Sequence, residues 1–249
     1  MLNKINGIEN EFQFVKYLNN KKINELNPIF RELFDDLFLC LNNNDIVSAW
    51  KNNLPQKTDF FIKVNHVIKR ISLKIGSKNS VHVEPISEFI HFLICNEVKK
   101  DAVIEYLKYH YADGTTNGKG CTRLSSVEYK EFNQDKLDMI NKEINKIDIL
   151  KNSVYRFVLM GTNSDIPIDA LISGSINDFI WIKKDEIIDI IVGKNNKYST
   201  GIHFGALSCQ PMDRCLNRNP LYESRRYCIQ IKWFNLFDEI IEYKNNNIN

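Results

Sequence analysis

An α/β fold, one domain whose core spans about residues 5–111 with a C-terminal α/β elaboration over about 126–243, follows from three observations. Residues 9–18 and a segment opened by Asn27-Pro28 carry helical spacing of apolar residues. Residues 59–64 and 67–75 then change to short Ile-, Val- and Phe-rich runs around Asn65-His66, which predicts a hairpin. From residue 84 onward the helical period returns.

The elements follow in order. Asn27 ahead of Pro28 is an N-cap and first-turn signal, giving a second helix to about residue 41. After the turn at 76–80, residues 84–95 place Ile86, Phe89, Ile90 and Leu93 on one helical face, and a further helix is expected over 99–111. Residues 112–125, containing DGTTNGKG, read as a long loop, either a mobile lid or a plain connection. Residues 128–151 read as one long, charged helix. Strands are then expected at 168–172, 178–182, 203–208 and 227–233, with a helix at 185–192 and a fraying tail. There is no internal repeat and no linker long enough to demand a boundary.

With 249 residues, 43% of them hydrophobic, the chain can bury a sizeable core. No apolar run is long enough to span a membrane and the first residues lack the apolar core of a signal peptide, so a cytoplasmic location is expected. The six cysteines contain no CxxC pair, and reduced, buried, inert thiols are expected. Cys209, Cys215, Cys228 and His203 match no usual zinc spacing.

Net charge is only +2, which gives no case for a nucleic-acid partner; its distribution does. Lys57, Lys63, Lys69, Arg70, Lys74 and Lys78 face the single acid Asp59 within residues 57–78, and Arg214, Arg218, Arg225, Arg226 and Lys232 outweigh Asp213 and Glu223 in residues 200–233. Strand alternation sets Asp59, Phe61 and Lys63 on one face of the first hairpin strand, and Arg70, Ser72 and Lys74 on one face of the second. Asp59 and Lys74 thus share a side of the sheet. A carboxylate beside an ammonium suits metal-assisted phosphodiester hydrolysis: the carboxylate helps hold the ion and the lysine positions or polarises the attacking water.

TDFFIKV followed by RISLKIG resembles the paired strands of the PD-(D/E)XK nuclease superfamily, in which an Asp on one strand precedes an acid-X-Lys triplet on the next. The resemblance implies a restriction-endonuclease-like mixed central sheet flanked by helices. It also implies a Mg²⁺- or Mn²⁺-dependent DNA endonuclease of restriction or defence type, with Asp59 and Lys74 in the family's positions. Thr58 replaces the signature proline and Ser72 replaces the triplet acid, leaving one anionic ligand fewer on the strand. Some members recruit that carboxylate from the following helix, and Glu84 is the first choice here, with Glu88 second; an N-terminal Glu complementing a helix dipole is the other reading of Glu84. Glu11 and Glu32, followed by Asp35 and Asp36, are candidates for an acid from an early helix. DNA contacts are expected from Lys78, Asn79, Ser80 and His82 beside the metal, and from Gln210, Arg214, Arg218, Arg225 and Arg226 near the C-terminus. A homodimer would supply the two sites that double-strand cutting needs. The alternative is a catalytically silent DNA-binding or regulatory protein that lost the triplet acid.

Overall fold

The computed structural model describes residues 7–75, 80–120, 123–193, 201–212 and 220–247. It divides into two compact units, each assembled from several stretches of chain: Met1–Asn79, Val158–Ile188 and Asn235–Asn249 form the first, Ser80–Phe157 and Asp189–Phe234 the second. Neither has the boundaries of the core and elaboration expected from the sequence.

The first unit is built on a five-stranded mixed sheet. Its strands are β1 (Val47–Lys51), β2 (Phe60–Val64), β3 (Val67–Lys74), β5 (Ala170–Ser175) and β6 (Asp178–Lys183), in that spatial order. Only the β3–β5 pairing is parallel. The expected hairpin is β2–β3, closed at Asn65, whose φ of 54° is one that asparagine tolerates. Alternation turns Val47, Ala49, Phe60, Ile62, Val64, Ile71 and Leu73 to one face, where helices α1 (Gly7–Leu18) and α2 (Pro28–Leu37) cover them. Phe14 of α1 is the hub, its ring 5.7 Å from Phe30, 5.8 Å from Phe60 and 5.3 Å from Phe179. Asn27 caps α2 as expected, accepting from the Phe30 amide at 3.1 Å ahead of Pro28, but the helix stops at Leu37.

The second unit carries an antiparallel sheet in the order β4 (Ser80–Pro85), β9 (Cys228–Lys232), β8 (Leu207–Pro211) and β7 (Ile202–Phe204). Around it lie α3 (Ile86–Cys95), α4 (Lys100–Tyr111), α5 (Ser126–Ile144) and α6 (Ile147–Val154). The expected 203–208 strand is the β7–β8 hairpin, and the expected 84–95 helix starts two residues later because Glu84 and Pro85 end β4. The single charged helix over 128–151 is two. Asn145 breaks it by donating to the carbonyls of Asn141 and His203 at 2.8 Å each while accepting from the Gly205 amide at 2.7 Å. Helix α7 (Lys184–Gly193) carries the chain from the first unit into the second, and α8 (Leu236–Asn246) closes the first.

The thiols are not uniformly buried: Cys40 and Cys95 are exposed, Cys228 is half-buried, and Cys121 and Cys215 lie outside the described residues. Burial pushes the Cys209 thiol up to about 12, which keeps it protonated and inert. Among the described residues no helix is long and apolar enough to cross a membrane.

Candidate active site on the β2–β3 hairpin

Asp59 immediately precedes β2 and extends its pairing, its amide donating to the Ile71 carbonyl at 2.8 Å. Its carboxylate is fastened to the neighbouring strand: Oδ2 accepts from the Leu73 amide at 2.6 Å and from the Ser72 hydroxyl at 3.1 Å. Asn52 holds the approach, its amide bonding the Asp59 carbonyl at 2.9 Å and its side chain the Thr58 carbonyl at 2.9 Å. Ser72 is fully buried. The position that the resemblance gives to an acid therefore holds a hydroxyl that orients Asp59.

Burial is the largest influence on Asp59 and raises its pKa above the ordinary carboxylate value. Lys74 and the Leu73 and Ser72 hydrogen bonds pull the other way, and the negative charge of Glu11 pushes in the same direction as burial. Lys74 and Glu11 thus both act on Asp59. Glu11 comes from α1, where Lys51 of β1 holds its Oε2 at 2.8 Å. Among the described residues Oδ1 of Asp59 has no hydrogen-bond partner and Lys74 has no ion-pair partner.

The remaining expected acids lie elsewhere. Glu32 is exposed on α2, where its charge acts on Lys244. Asp36 is bonded to Lys183 at 2.6 Å and to the Trp181 indole at 2.8 Å. Glu84 is not at a helix start but buried in β4 of the second unit, gripped by Arg156 at 2.6 Å and 3.2 Å from His82. Despite burial, these two partners hold its pKa below the usual carboxylate value. Glu84 is therefore already neutralised by its own unit, and a helix-dipole role is excluded by its place in a strand. Glu88 is exposed on α3, 4.0 Å from Arg156.

Several expected DNA contacts are occupied structurally. His82 is buried against Phe157, their ring centroids 5.4 Å apart, which denies it a nucleic-acid backbone. Arg226 is 2.8 Å from Asp113, and its carbonyl accepts from the His110 Nε2 at 2.9 Å. Asp113 also accepts from Thr115 and from the Gly120 amide, so the DGTTNGKG loop is organised around that carboxylate and Arg226 is its anchor. Gln230 of β9 bonds both Gln210 at 3.3 Å and Ser80 at 3.0 Å. Arg225 is half-buried in the short helical turn Pro220–Tyr227. Lys78, Asn79, Arg214 and Arg218 lie outside the described residues.

Sequence reasoning passed over Lys51 and Asn52, which hold Glu11 and the Asp59 backbone. The one available signal was the short alternation of VSAWK, with its lysine at the end of β1.

No family model matches the sequence. Over 177 residues, 66% of the chain, it is 29% identical to a putative ankyrin repeat protein of Acanthamoeba polyphaga mimivirus, of which it spans 52%, about half the length of that curated relative. In three dimensions 93% of the chain matches 93% of the restriction endonuclease MspI, crystallised in complex with its cognate DNA, with a TM-score of 0.56 and 16% identity. The fold is therefore the restriction-endonuclease-like one: a mixed central sheet flanked by helices.

Proposed function

We propose that this chain is a divalent-metal-dependent DNA endonuclease of restriction or defence type, with Asp59, Glu11 and Lys74 at its centre. The observation that carries this reading is the Asp59 carboxylate. It is pinned to β3 through one oxygen, has its other oxygen unbonded among the described residues, and feels an acid and a lysine from adjoining elements. Mg²⁺ typically binds one or two carboxylates and keeps waters and phosphate oxygens as its other ligands, so this donor set fits it. Mn²⁺ accepts the same oxygen donors. Asp59 would hold the ion and Glu11 would join it by exchanging its Lys51 partner for the cation; the ion would supply charge neutralisation at phosphorus and acidify a bound water.

The chain's own residues do the rest. Ser72 and the Leu73 amide fix the carboxylate before substrate arrives, so no reorganisation is needed at the reacting centre. Lys74 orients the attacking water and stabilises charge developing on the phosphate; the water adds to phosphorus in line with the P–O bond to the deoxyribose oxygen, which breaks as that oxygen departs, without a covalent enzyme intermediate. Glu11 replaces the missing triplet acid, the role first expected of Glu84. Plasmid or phage DNA incubated with the protein and Mg²⁺ or Mn²⁺ should be cut, and Asp59→Ala and Lys74→Ala should each abolish cutting while remaining folded; retained cutting sinks the site. The second reading, a silent DNA-binding protein, is favoured by one observation: Ser72 contributes a hydroxyl where the resemblance has a charge. Salt-sensitive duplex binding without any cleavage would select it.

A further inference from the structure

The face of the sheet that carries Asp59 continues, away from it, into an aromatic and basic surface in which Trp50 is exposed and Phe61, Lys63 and Arg70 are half-buried. The register aligns Trp50 with Phe61 and Phe61 with Arg70 across β1, β2 and β3, and the next row is Ser48, Lys63 and Ile68. Asp59 and Ser72 form the row on the other side. Side chains on one face recur every second residue, so the Trp50–Phe61–Arg70 row lies about 7 Å from the Asp59 row.

Trp50 and Phe61 are stacked, with ring centroids 5.3 Å apart and planes 18° from parallel. Trp50 is 40% exposed, whereas Trp181 is 9% and Trp233 0% exposed. Nothing in the core explains a tryptophan here, because Val47, Ala49 and Lys51 point to the opposite face. The flanking cations are available. Lys63 has no ion-pair partner among the described residues, and Arg70 is only 3.8 Å from Asp169, whose same oxygen already accepts from the Arg70 amide at 2.7 Å.

We propose that the Trp50–Phe61 pair is a stacking platform for an unpaired base of the nucleic acid, with Lys63 and Arg70 holding adjacent phosphates. The proposal rests on the endonuclease reading for its partner and adds the form of substrate. An aromatic face accepts the π-surface of any base, but a base within a duplex keeps that surface buried in its stack. The occupant is therefore single-stranded, at an end, or flipped out, within a nucleotide or so of the bond at Asp59. The two cations make the face complementary to a phosphate chain.

The test uses the full chain in EDTA, so that binding is read apart from cleavage. Titration with an oligothymidylate should quench the emission of the exposed Trp50, and a matched duplex should quench it far less. Trp50→Ala should weaken binding of a fluorescein-labelled oligothymidylate, read by anisotropy, about tenfold, and Trp50→Phe should restore most of it. Lys63→Ala should lower the salt dependence of that binding. Binding without quenching, equal quenching by duplex, or no binding of either would each overturn the platform. So would a concentration-dependent dimer abolished by Trp50→Ala, which would make the face a contact with a second copy. Quenching that persists in a protein unable to cut DNA with Mg²⁺ would overturn the nuclease reading and leave the platform standing.

Discussion

Two buried carboxylates, one in each unit, show how the same side chain is prepared for different ends. Glu84 in the second unit is closed off: Arg156 and His82 occupy its oxygens and hold it ionised against the pull of burial. Asp59 in the first unit is fixed in place by neutral donors; burial outweighs the opposing charge of Lys74, Glu11 adds to burial, and the pKa is left raised. A buried carboxylate held through both oxygens, as Glu84 is by Arg156, belongs to the structure, whereas Lys51 holds Glu11 through Oε2. A charge positioned but under-compensated is an invitation to a cation, and strain of this kind is characteristic of functional sites. The proposal accordingly takes Glu11 rather than Glu84 as the second acid, because its charge acts on Asp59.

That contrast breaks most visibly in catalysis. Asp59→Asn and Lys74→Ala should each slow cleavage by about a thousandfold, roughly 4 kcal/mol of transition-state stabilisation, in single-turnover assays. Glu84→Gln should instead cost about 3 kcal/mol of folding stability in urea titration, because it strands Arg156 beside a neutral, half-satisfied partner, and it should leave cleavage per folded molecule intact. Glu11→Gln should do the reverse, lowering metal affinity by calorimetry and cleavage rate with stability nearly unchanged. If Glu84→Gln rather than Glu11→Gln removed metal binding, the assignment of the second acid would be wrong.

Ser72 sharpens the comparison from the other side. Ser72→Asp would put a second carboxylate within hydrogen-bond range of Asp59, where the hydroxyl now sits 3.1 Å away. Without metal the two charges repel, and the variant should lose about 1–2 kcal/mol. Added Mg²⁺ should erase much of that loss, so the melting-temperature gap to the parent should narrow with the ion in differential scanning calorimetry. A gap indifferent to Mg²⁺ would favour the silent reading.

What was legible in the sequence follows a physical line. The β2–β3 hairpin could be read because one face is buried and the other polar, so alternation is written into TDFFIKV and RISLKIG; the contact of Asp59 with Ser72 depends on the strand register, which alternation does not give. The capped α2 was legible for a local reason, the Asn27-Pro28 pair. β4 was not. Its bulge between Ser80 and His82 disturbs the period, and the buried His82 and Glu84 look polar until Arg156, distant in sequence, is brought against them. Arg226 misled in the same way, since its partner Asp113 lies in another element. Charges near one another in sequence suggested a nucleic-acid surface; charges paired across the fold account for part of it.

The smallest effect has the most discriminating sign. For Glu84 the folded pKa is depressed, so its contribution to stability is present above the ordinary value of 4.5 and is lost as pH falls through the folded value. For Asp59 the folded pKa is raised above 3.8, so the native state holds its proton longer than the unfolded chain, and stability is lost as pH rises from 3.8 through the folded value. Asp59→Asn removes that ionisation. Its melting temperature should therefore exceed the parent's at neutral pH in EDTA, by a few degrees at most, and the gain should shrink as pH falls towards 4. Glu84→Gln should melt below the parent at neutral pH, and its deficit should shrink over the acid range in which Glu84 itself takes up a proton. Mg²⁺ should raise the parent's melting temperature and leave Asp59→Asn unmoved. An Asp59→Asn protein that melts below the parent at neutral pH would place Asp59 with Glu84 among the structural acids.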